Sequence, residues 1–117
     1  MNHMLLIYEN ADNFAARTDP GRRDALFGAY RAYTQALTEA GVFVGGAPLQ
    51  PPQHAATVRQ RDGARQVQDG PFAEAKEQLG GYYVIDVASL DQALEWAARC
   101  PAASYGTVEV RPYQQMG

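Results

Sequence analysis

Residues 81–110 read GYYVIDVASLDQALEWAARCPAASYGTVEV and predict a strand, a helix and a second strand in succession. The first seven residues, 81–87, are rich in aromatic and β-branched side chains, which is typical of a strand. Residues 89–99 begin with serine and carry glutamine three positions later, a capping-box pattern that opens a helix. Pro101 ends that helix. Residues 105–111 then alternate valine with polar side chains, as a half-buried strand does.

The N-terminal half predicts the same order of elements. Residues 4–8, MLLIY, form an apolar run without alternation, which predicts a strand buried on both faces. Asp19 and Pro20 supply an N-cap and a first helical residue. Apolar side chains then recur at helical spacing at Leu26, Tyr30, Tyr33 and Leu37. Gly41 is placed to end this helix in a left-handed conformation, and residues 42–44 begin a second strand.

Between the two halves, residues 57–60 and 65–68 flank the turn pair Asp62-Gly63 and predict an exposed β-hairpin. Without this insertion the order is a split βαβ repeat, so the predicted fold is α+β and ferredoxin-like, with an antiparallel sheet. Two helices cover only one face of a four-stranded sheet. Because residues 4–8 are apolar throughout, we expect a second copy to cover the other face, which predicts a homodimer.

Composition narrows the class of protein. The chain has 117 residues, which predicts a single domain over residues 1–117. Its net charge of −3 argues against nucleic acid and anionic membranes as partners. No apolar segment reaches the roughly 18 residues that cross a bilayer. Since nothing resembles a secretion signal either, we expect a cytoplasmic protein.

Few residues suit a metal or a cofactor. Cys100 is the single cysteine and is interpreted as a small buried filler, while His3 and His54 lack metal-ligand spacing, so no metal site is predicted. The glycine pairs 45–46 and 80–81 match neither a dinucleotide fingerprint nor a phosphate loop, and no cofactor is predicted. These pairs instead indicate bulges or a close approach of two backbones.

Residues 69–77, DGPFAEAKE, form the densest cluster of unusual residues. Asp69 can bond the backbone ahead of it, and Gly70 and Pro71 favour a rigid turn. One interpretation is purely structural, with Phe72 filling the core beside a solvated charged segment. The other places the Asp69 carboxylate in a cleft as a general base or hydrogen-bond acceptor. The candidate substrate contacts are then Phe72, Glu74, Lys76 and Arg111, of which the two cations would neutralise an anionic substrate.

Aromatic and histidine side chains give weaker signals. The tyrosines at positions 30, 33, 82 and 83 could line a pocket, although aromatic residues at helical spacing are more often core. His3, at the start of the first strand, could exchange protons near neutral pH. The alternative is a histidine at a strand end near the chain terminus, which carries no function.

Residues 69–83, DGPFAEAKEQLGGYY, closely resemble the signature of the YCII-related, or DGPF-type, family. Residues 4–8, 46–49 and 109–112 look like the same family, so the resemblance covers nearly the whole chain. Ala75 stands where the signature usually has threonine, which removes a hydroxyl and no charge. The resemblance implies a dimeric α+β barrel built on a ferredoxin-like fold.

The resemblance implies two classes of function. In shorter relatives a histidine on the first helix and an aspartate are proposed as a catalytic pair, and one relative resembles a dehydrochlorinase. The position matching that histidine is Tyr30, whose phenol donates a hydrogen bond but is a poor base at neutral pH. The candidate aspartate is Asp69. Longer relatives resemble companions of alternative sigma factors.

Two hypotheses therefore compete. The first is a small-molecule enzyme near the dimer interface, with Asp69 as base or orienting carboxylate, Tyr30 as hydrogen-bond donor and Arg111 as an anion contact. The second is a non-catalytic ligand-binding or regulatory module with a sigma factor as partner. A monooxygenase-like or haem-handling role rests on analogy between folds alone.

Overall fold

The computed structural model describes the whole chain, Met1–Gly117. Its six strands are β1 (Asn2–Glu9), β2 (Phe43–Pro48), β3 (Ala56–Arg61), β4 (Ala64–Asp69), β5 (Gln78–Asp86) and β6 (Thr107–Pro112). Its three α-helices are α1 (Ala11–Ala16), α2 (Arg23–Glu39) and α3 (Leu90–Arg99). None of the helices is long and apolar enough to cross a membrane.

The strands form an antiparallel sheet of order β2-β5-β1-β6 and a separate β3–β4 ribbon. This order is that of a split βαβ repeat with a hairpin inserted, so the predicted ferredoxin-like α+β fold is confirmed. The sheet stays open, and no closed barrel forms within one chain.

Side chains of β1 alternate between the two faces of the sheet. Leu5 and Ile7 are buried under the helices, whereas Met4, Leu6 and Tyr8 point to the other face and are half-buried. Burial on both faces, expected from the unbroken apolar run, is therefore incomplete in a single chain, because no helix covers the second face. The strand itself is confirmed and extends to Glu9.

Helix α2 begins at Arg23, so the N-cap predicted at Asp19 is wrong. The Asp19 carboxylate instead accepts hydrogen bonds from the Gly21 backbone at 2.8 Å and from Arg22 Nε at 2.9 Å. These bonds close a turn that precedes the helix. The predicted apolar stripe is confirmed, and Gly41 ends the helix region with a φ of 73°.

The core lies between α2, α3 and one face of the sheet. Ser89 caps α3, as predicted, because its hydroxyl accepts from the Gln92 backbone at 3.2 Å. Tyr33 of α2 donates a 2.7 Å hydrogen bond to the carbonyl of Trp96, which ties the two helices together. The buried cluster comprises Leu5, Ile7, Tyr33, Leu37, Tyr83, Ile85, Val87, Ala93, Ala97, Cys100 and Ala102.

Both glycine pairs mark irregular backbone. Strand β2 continues through Gly45 and Gly46, and the predicted bulge is present between Phe43 and Gly45. A Cβ on Gly46 would lie 2.7 Å from the carbonyl oxygen of Tyr82. The close approach of the two strands therefore requires glycine here.

Strands β3 and β4 form the predicted hairpin, with Asp62 at a φ of 52° and Gly63 at 75°. We call this ribbon, residues 56–69, the arm. Val58 and Val67 face each other across the ribbon and are both more than half exposed. The arm explains a radius of gyration of 16.0 Å, against about 13 Å for a compact domain of this length.

Candidate functional site

The largest cavity lies between α2 and the β2–β5 edge of the sheet, on the face that carries the helices. Its volume is about 670 Å³, and we call it the α2 cavity. Ile7, Leu26, Phe27 and Phe43 contribute apolar lining, whereas the polar lining includes Glu9, Arg17, Tyr30 and Thr34. A mainly apolar cavity of this size with a few convergent polar groups is typical of a small-molecule site.

An ion pair lies at one end of this cavity. Arg17 Nη2 lies 3.1 Å from Glu9 Oε2, and the two side chains are only 18% and 5% exposed. The guanidinium also donates to the carbonyl oxygens of Leu49 and Gly80. Both ions are therefore hydrogen-bonded as well as paired, which offsets the desolvation that burial imposes on them.

Local backbone structure positions this pair. Asn10 caps α1 with a reciprocal capping box, and this short helix turns the chain so that Arg17 returns to Glu9. The pairing of β1 with β5 shifts between Ile7 and Tyr8, which leaves Gly80 as an extra residue. A Cβ on Gly80 would lie 2.2 Å from Glu9 Oε2, so only glycine leaves room for the carboxylate.

Two phenols, Tyr105 and Tyr30, extend the ion pair through hydrogen bonds, and Tyr30 lines the α2 cavity. Tyr105 donates to Glu9 Oε1 at 3.1 Å, and the hydroxyls of Tyr30 and Tyr105 lie 2.7 Å apart. Burial is the main cause that raises the pKa of both tyrosines, and the bond to Tyr105 raises the pKa of Tyr30 further. Both phenols are therefore neutral near pH 7. We call Arg17, Glu9, Tyr105 and Tyr30 together the polar chain.

The residues predicted to form one site lie in different places. Tyr30 lines the α2 cavity, but Asp69 is exposed at the end of the arm and lines neither of the two largest cavities. Glu74 and Lys76 are exposed on the segment that follows. Arg111 lies on the open face of the sheet and pairs with Glu109. Within one chain, the structure does not bring Asp69 and Tyr30 into a common cavity.

Phe72 lines a second cavity of about 630 Å³, between the base of the arm and the end of the sheet. The other lining residues include Tyr8, His54 and Leu79. The Phe72 ring is 76% exposed and lies under the guanidinium of Arg59, so the interpretation that it fills the core is wrong. This second cavity contains no ion pair.

His3 and Cys100 contribute to neither cavity. His3 is buried, its Nδ1 lies 3.1 Å from the carbonyl oxygen of Met1, and it stands at the opposite end of β1 from Glu9. Cys100 is buried in the core, and burial raises the pKa of its thiol to about 11. Its interpretation as a buried filler is confirmed.

Three members of the polar chain, Glu9, Arg17 and Tyr105, are not predicted as site residues from the sequence. Glu9 carries a signal, because it continues the inward-facing series Leu5 and Ile7 at the strand period of two. A carboxylate on a buried face requires a partner. No local pattern identifies that partner as Arg17, nor does any pattern bring Tyr105 from the far end of the chain.

The fold and the cavity define an α+β, ferredoxin-like domain with an internal small-molecule-sized site. A family model for the YCII-related domain matches residues 1–117, and the chain belongs to this family. The chain is also 49% identical over 83 residues to an uncharacterized protein of Rhizobium meliloti (strain 1021), covering 69% of this chain and 67% of that protein.

A solved structure shares the fold. It is 5-chloro-2-hydroxyhydroquinone dehydrochlorinase (TftG) from Burkholderia phenoliruptrix AC1100, in complex with 2,5-dihydroxybenzoquinone. The TM-score is 0.57 at 13% identity, with 99% of this chain and 96% of that chain covered. At this identity the similarity shows the fold alone.

Proposed function

We propose that the protein is an enzyme acting on a small organic molecule bound in the α2 cavity. The observation that carries the proposal is the polar chain, which places a buried carboxylate and the Tyr30 phenol at a cavity with a mainly apolar surface. Titratable groups whose pKa values are perturbed by burial cluster at functional sites. TftG, a protein of the same fold whose structure holds a small dihydroxyquinone, supports a ligand of this size.

The proposed chemistry is proton transfer. Tyr30 contacts the ligand, and the hydrogen bonds through Tyr105 connect that contact to the Glu9 carboxylate. In the single chain the proposed base is therefore Glu9 and not Asp69, because a base must reach its proton within hydrogen-bonding distance. Catalysis by Asp69 stays a prediction that requires a second chain to bring its arm to the cavity.

A thermal-shift screen with small hydroxylated aromatic molecules tests the site, because a ligand that binds only the folded state raises the melting temperature. The variant Gln35→Trp places an indole over the cavity, and Ala32→Trp puts the same side chain on an exposed position of α2 outside the lining. Stabilisation that is lost only in Gln35→Trp supports the proposal. The proposal is contradicted if no molecule of the panel stabilises the wild-type protein, or if the molecules stabilise the two variants equally.

We also propose the homodimer. The chain exposes 7791 Å², about 1,500 Å² more than a compact monomer of 12.8 kDa. A standard interface buries about 800 Å² on each partner, so the half-buried open face and the arm together offer enough area. Light scattering after size exclusion should give twice the chain mass. A monomer at micromolar concentration contradicts the proposal.

A regulatory module is the second proposal, with an alternative sigma factor as partner and the cytoplasm as location. The observation that favours it is the exposed apolar surface of the arm and the segment after it, where Val58, Val67 and Phe72 are all more than half exposed. A pull-down with the purified sigma factors of the source organism tests it. Enrichment that is lost in Phe72→Ala supports this role, and no enrichment contradicts it.

A further inference from the structure

The direction of the hydrogen bonds in the polar chain is fixed by its charged end. Glu9 forms an ion pair with Arg17 at 3.1 Å, and a carboxylate in an ion pair can only accept hydrogen bonds. The Tyr105 hydroxyl has one hydrogen and donates it to Glu9 Oε1 at 3.1 Å. At 2.7 Å from Tyr30, the Tyr105 oxygen can then only accept, so Tyr30 is the donor of that bond.

This direction determines what Tyr30 offers to a ligand. Its one hydrogen is committed to Tyr105, and Tyr30 lines the α2 cavity, so a ligand that reaches its oxygen meets a lone pair. Tyr30 would then act as a hydrogen-bond acceptor, in place of the donor role expected from the sequence. A ligand whose polar groups are all hydrogen-bond acceptors would place an acceptor against the Tyr30 oxygen, which is itself an acceptor.

The charged residues at the cavity restrict where an anionic group could bind. Glu9, Leu49 and Gly80 engage three of the five N–H donors of Arg17. Arg31 also lines the cavity, whereas Lys76 and Arg111 do not. A carboxylate placed at Tyr30 would meet a lone pair there and the charge of Glu9, which is unfavourable at a buried site.

We infer that the α2 cavity selects an organic molecule that donates a hydrogen bond, from a hydroxyl or an N–H group on an apolar body, to Tyr30. This inference rests on the proposed function and specifies the ligand class of the same site. A group of this kind satisfies the Tyr30 oxygen, and the apolar lining from residues such as Ile7, Leu26 and Phe43 covers the rest of the molecule. A hydroxylated aromatic ring fits both requirements.

Three probes with the same ring system test the inference by calorimetric titration. They are 2-naphthol, which donates; 2-methoxynaphthalene, which only accepts; and 2-naphthoate, which is anionic. We expect 2-naphthol to bind the wild-type protein about tenfold more tightly than the ether, which corresponds to one satisfied hydrogen bond. The naphthoate should bind more weakly than 2-naphthol, because a carboxylate cannot donate a hydrogen bond to Tyr30.

Two variants separate the direction of the bonds from the shape of the cavity. Tyr30→Phe should bring the naphthol and ether affinities to within about threefold of each other, since the acceptor is gone. Tyr105→Phe frees the Tyr30 hydrogen, so it should strengthen binding of the ether relative to naphthol. Tyr113→Phe, at an exposed tyrosine outside the cavity, should leave the wild-type ratio unchanged.

The failure of the inference differs from that of the proposed function. Equal binding of naphthol and ether to the wild-type protein overturns the assignment of Tyr30 as an acceptor and leaves a small-molecule site in place. Tighter binding of the naphthoate than of 2-naphthol overturns the preference for a hydrogen-bond donor. Absence of binding by all three probes contradicts both the inference and the proposed function.

Discussion

Tyr105 donates a hydrogen bond to the carboxylate of Glu9 at 3.1 Å, across 96 residues of sequence. The bond joins the last residue of β1 to the turn that precedes β6, and so connects the first and last strands of the fold at the edge of the α2 cavity. Stability and the proposed binding chemistry therefore depend on the same few side chains. The following predictions test the two roles separately.

Replacing Glu9 with glutamine should destabilise the protein strongly. The substitution leaves the Arg17 charge buried without a counter-ion, a change that costs about 3–5 kcal/mol at buried pairs. Glu109→Gln removes one partner of the exposed pair with Arg111 and should cost less than about 1 kcal/mol. Urea unfolding of both variants measures the difference. Similar losses in the two would contradict the burial of the Glu9–Arg17 pair.

Gly80→Ala should be destabilising although it adds one methyl group. The new Cβ would lie 2.2 Å from Glu9 Oε2 and 3.1 Å from a ring atom of Phe14. Overpacking of this kind costs about 1–3 kcal/mol. Gly45→Ala is the matched control, because a Cβ there has nothing within 4 Å. If the two alanine variants melt at the same temperature, Gly80 does not make room for the carboxylate.

Tyr105→Phe should lower the free energy of unfolding by about 1–3 kcal/mol, because one Glu9 oxygen and the Tyr30 hydroxyl lose their partner. The loss should be smaller than that of Glu9→Gln, since Arg17 keeps its counter-ion. Tyr113→Phe, at a hydroxyl without a partner in the chain, should be nearly neutral. Chemical denaturation gives all three values. A neutral Tyr105→Phe would show that its hydroxyl carries no buried bond.

Stability should fall in alkaline solution. Burial raises the pKa of Tyr30, Tyr33 and Tyr105 above 10.0, and that of Cys100 from 9.0 to about 11. Raised values in the folded state mean that the unfolded chain releases these protons first. The stabilisation is thus complete below about pH 9 and decreases as the pH rises further. Urea midpoints measured from about pH 7 to 11 follow the change.

The matched variant for the alkaline transition combines Tyr30→Phe with Tyr105→Phe, which removes two of the groups whose pKa burial raises. Its stability should decrease less steeply with pH than that of the wild-type protein, by the linkage between proton release and unfolding. If the stability of the two proteins decreases equally with rising pH, the burial of these phenols is not the cause of the alkaline destabilisation.

Cys100 should react slowly with a thiol reagent near pH 8. The side chain is buried and its pKa of about 11 leaves little thiolate, the reactive form. Unfolding in urea should make the reaction fast, with one thiol modified in each chain. Fast reaction of the folded protein would contradict the position of Cys100 in the core.

Periodicity and turn chemistry predicted most of the fold. The β1 run, the α2 stripe, the Ser89 cap and the Asp62-Gly63 turn are all local signals, and each is present. The start of α2 was misplaced because the carboxylate of Asp19 closes a turn instead of capping the helix. Helix α1 was missed, since six residues with one buried aromatic side chain give no amphipathic period.

The candidate site was harder to predict from the sequence than the fold was. Tyr30 was identified as a candidate, but its role as an acceptor depends on Tyr105, a contact made by the fold between distant segments. The 69–77 segment is distinctive in sequence, yet the structure leaves Asp69 exposed. A local motif can mark a family without forming the largest cavity, because a cavity is built from elements that are separate in the chain.

The most direct test of a small-molecule site in the α2 cavity is a titration of the isotope-labelled protein with 2-naphthol, followed by chemical-shift changes along the backbone. We predict changes concentrated at residues that line this cavity, such as Phe27, Tyr30 and Gly81. Changes centred on the second cavity, at His54 and Phe72, or no saturable change at all, would contradict the account.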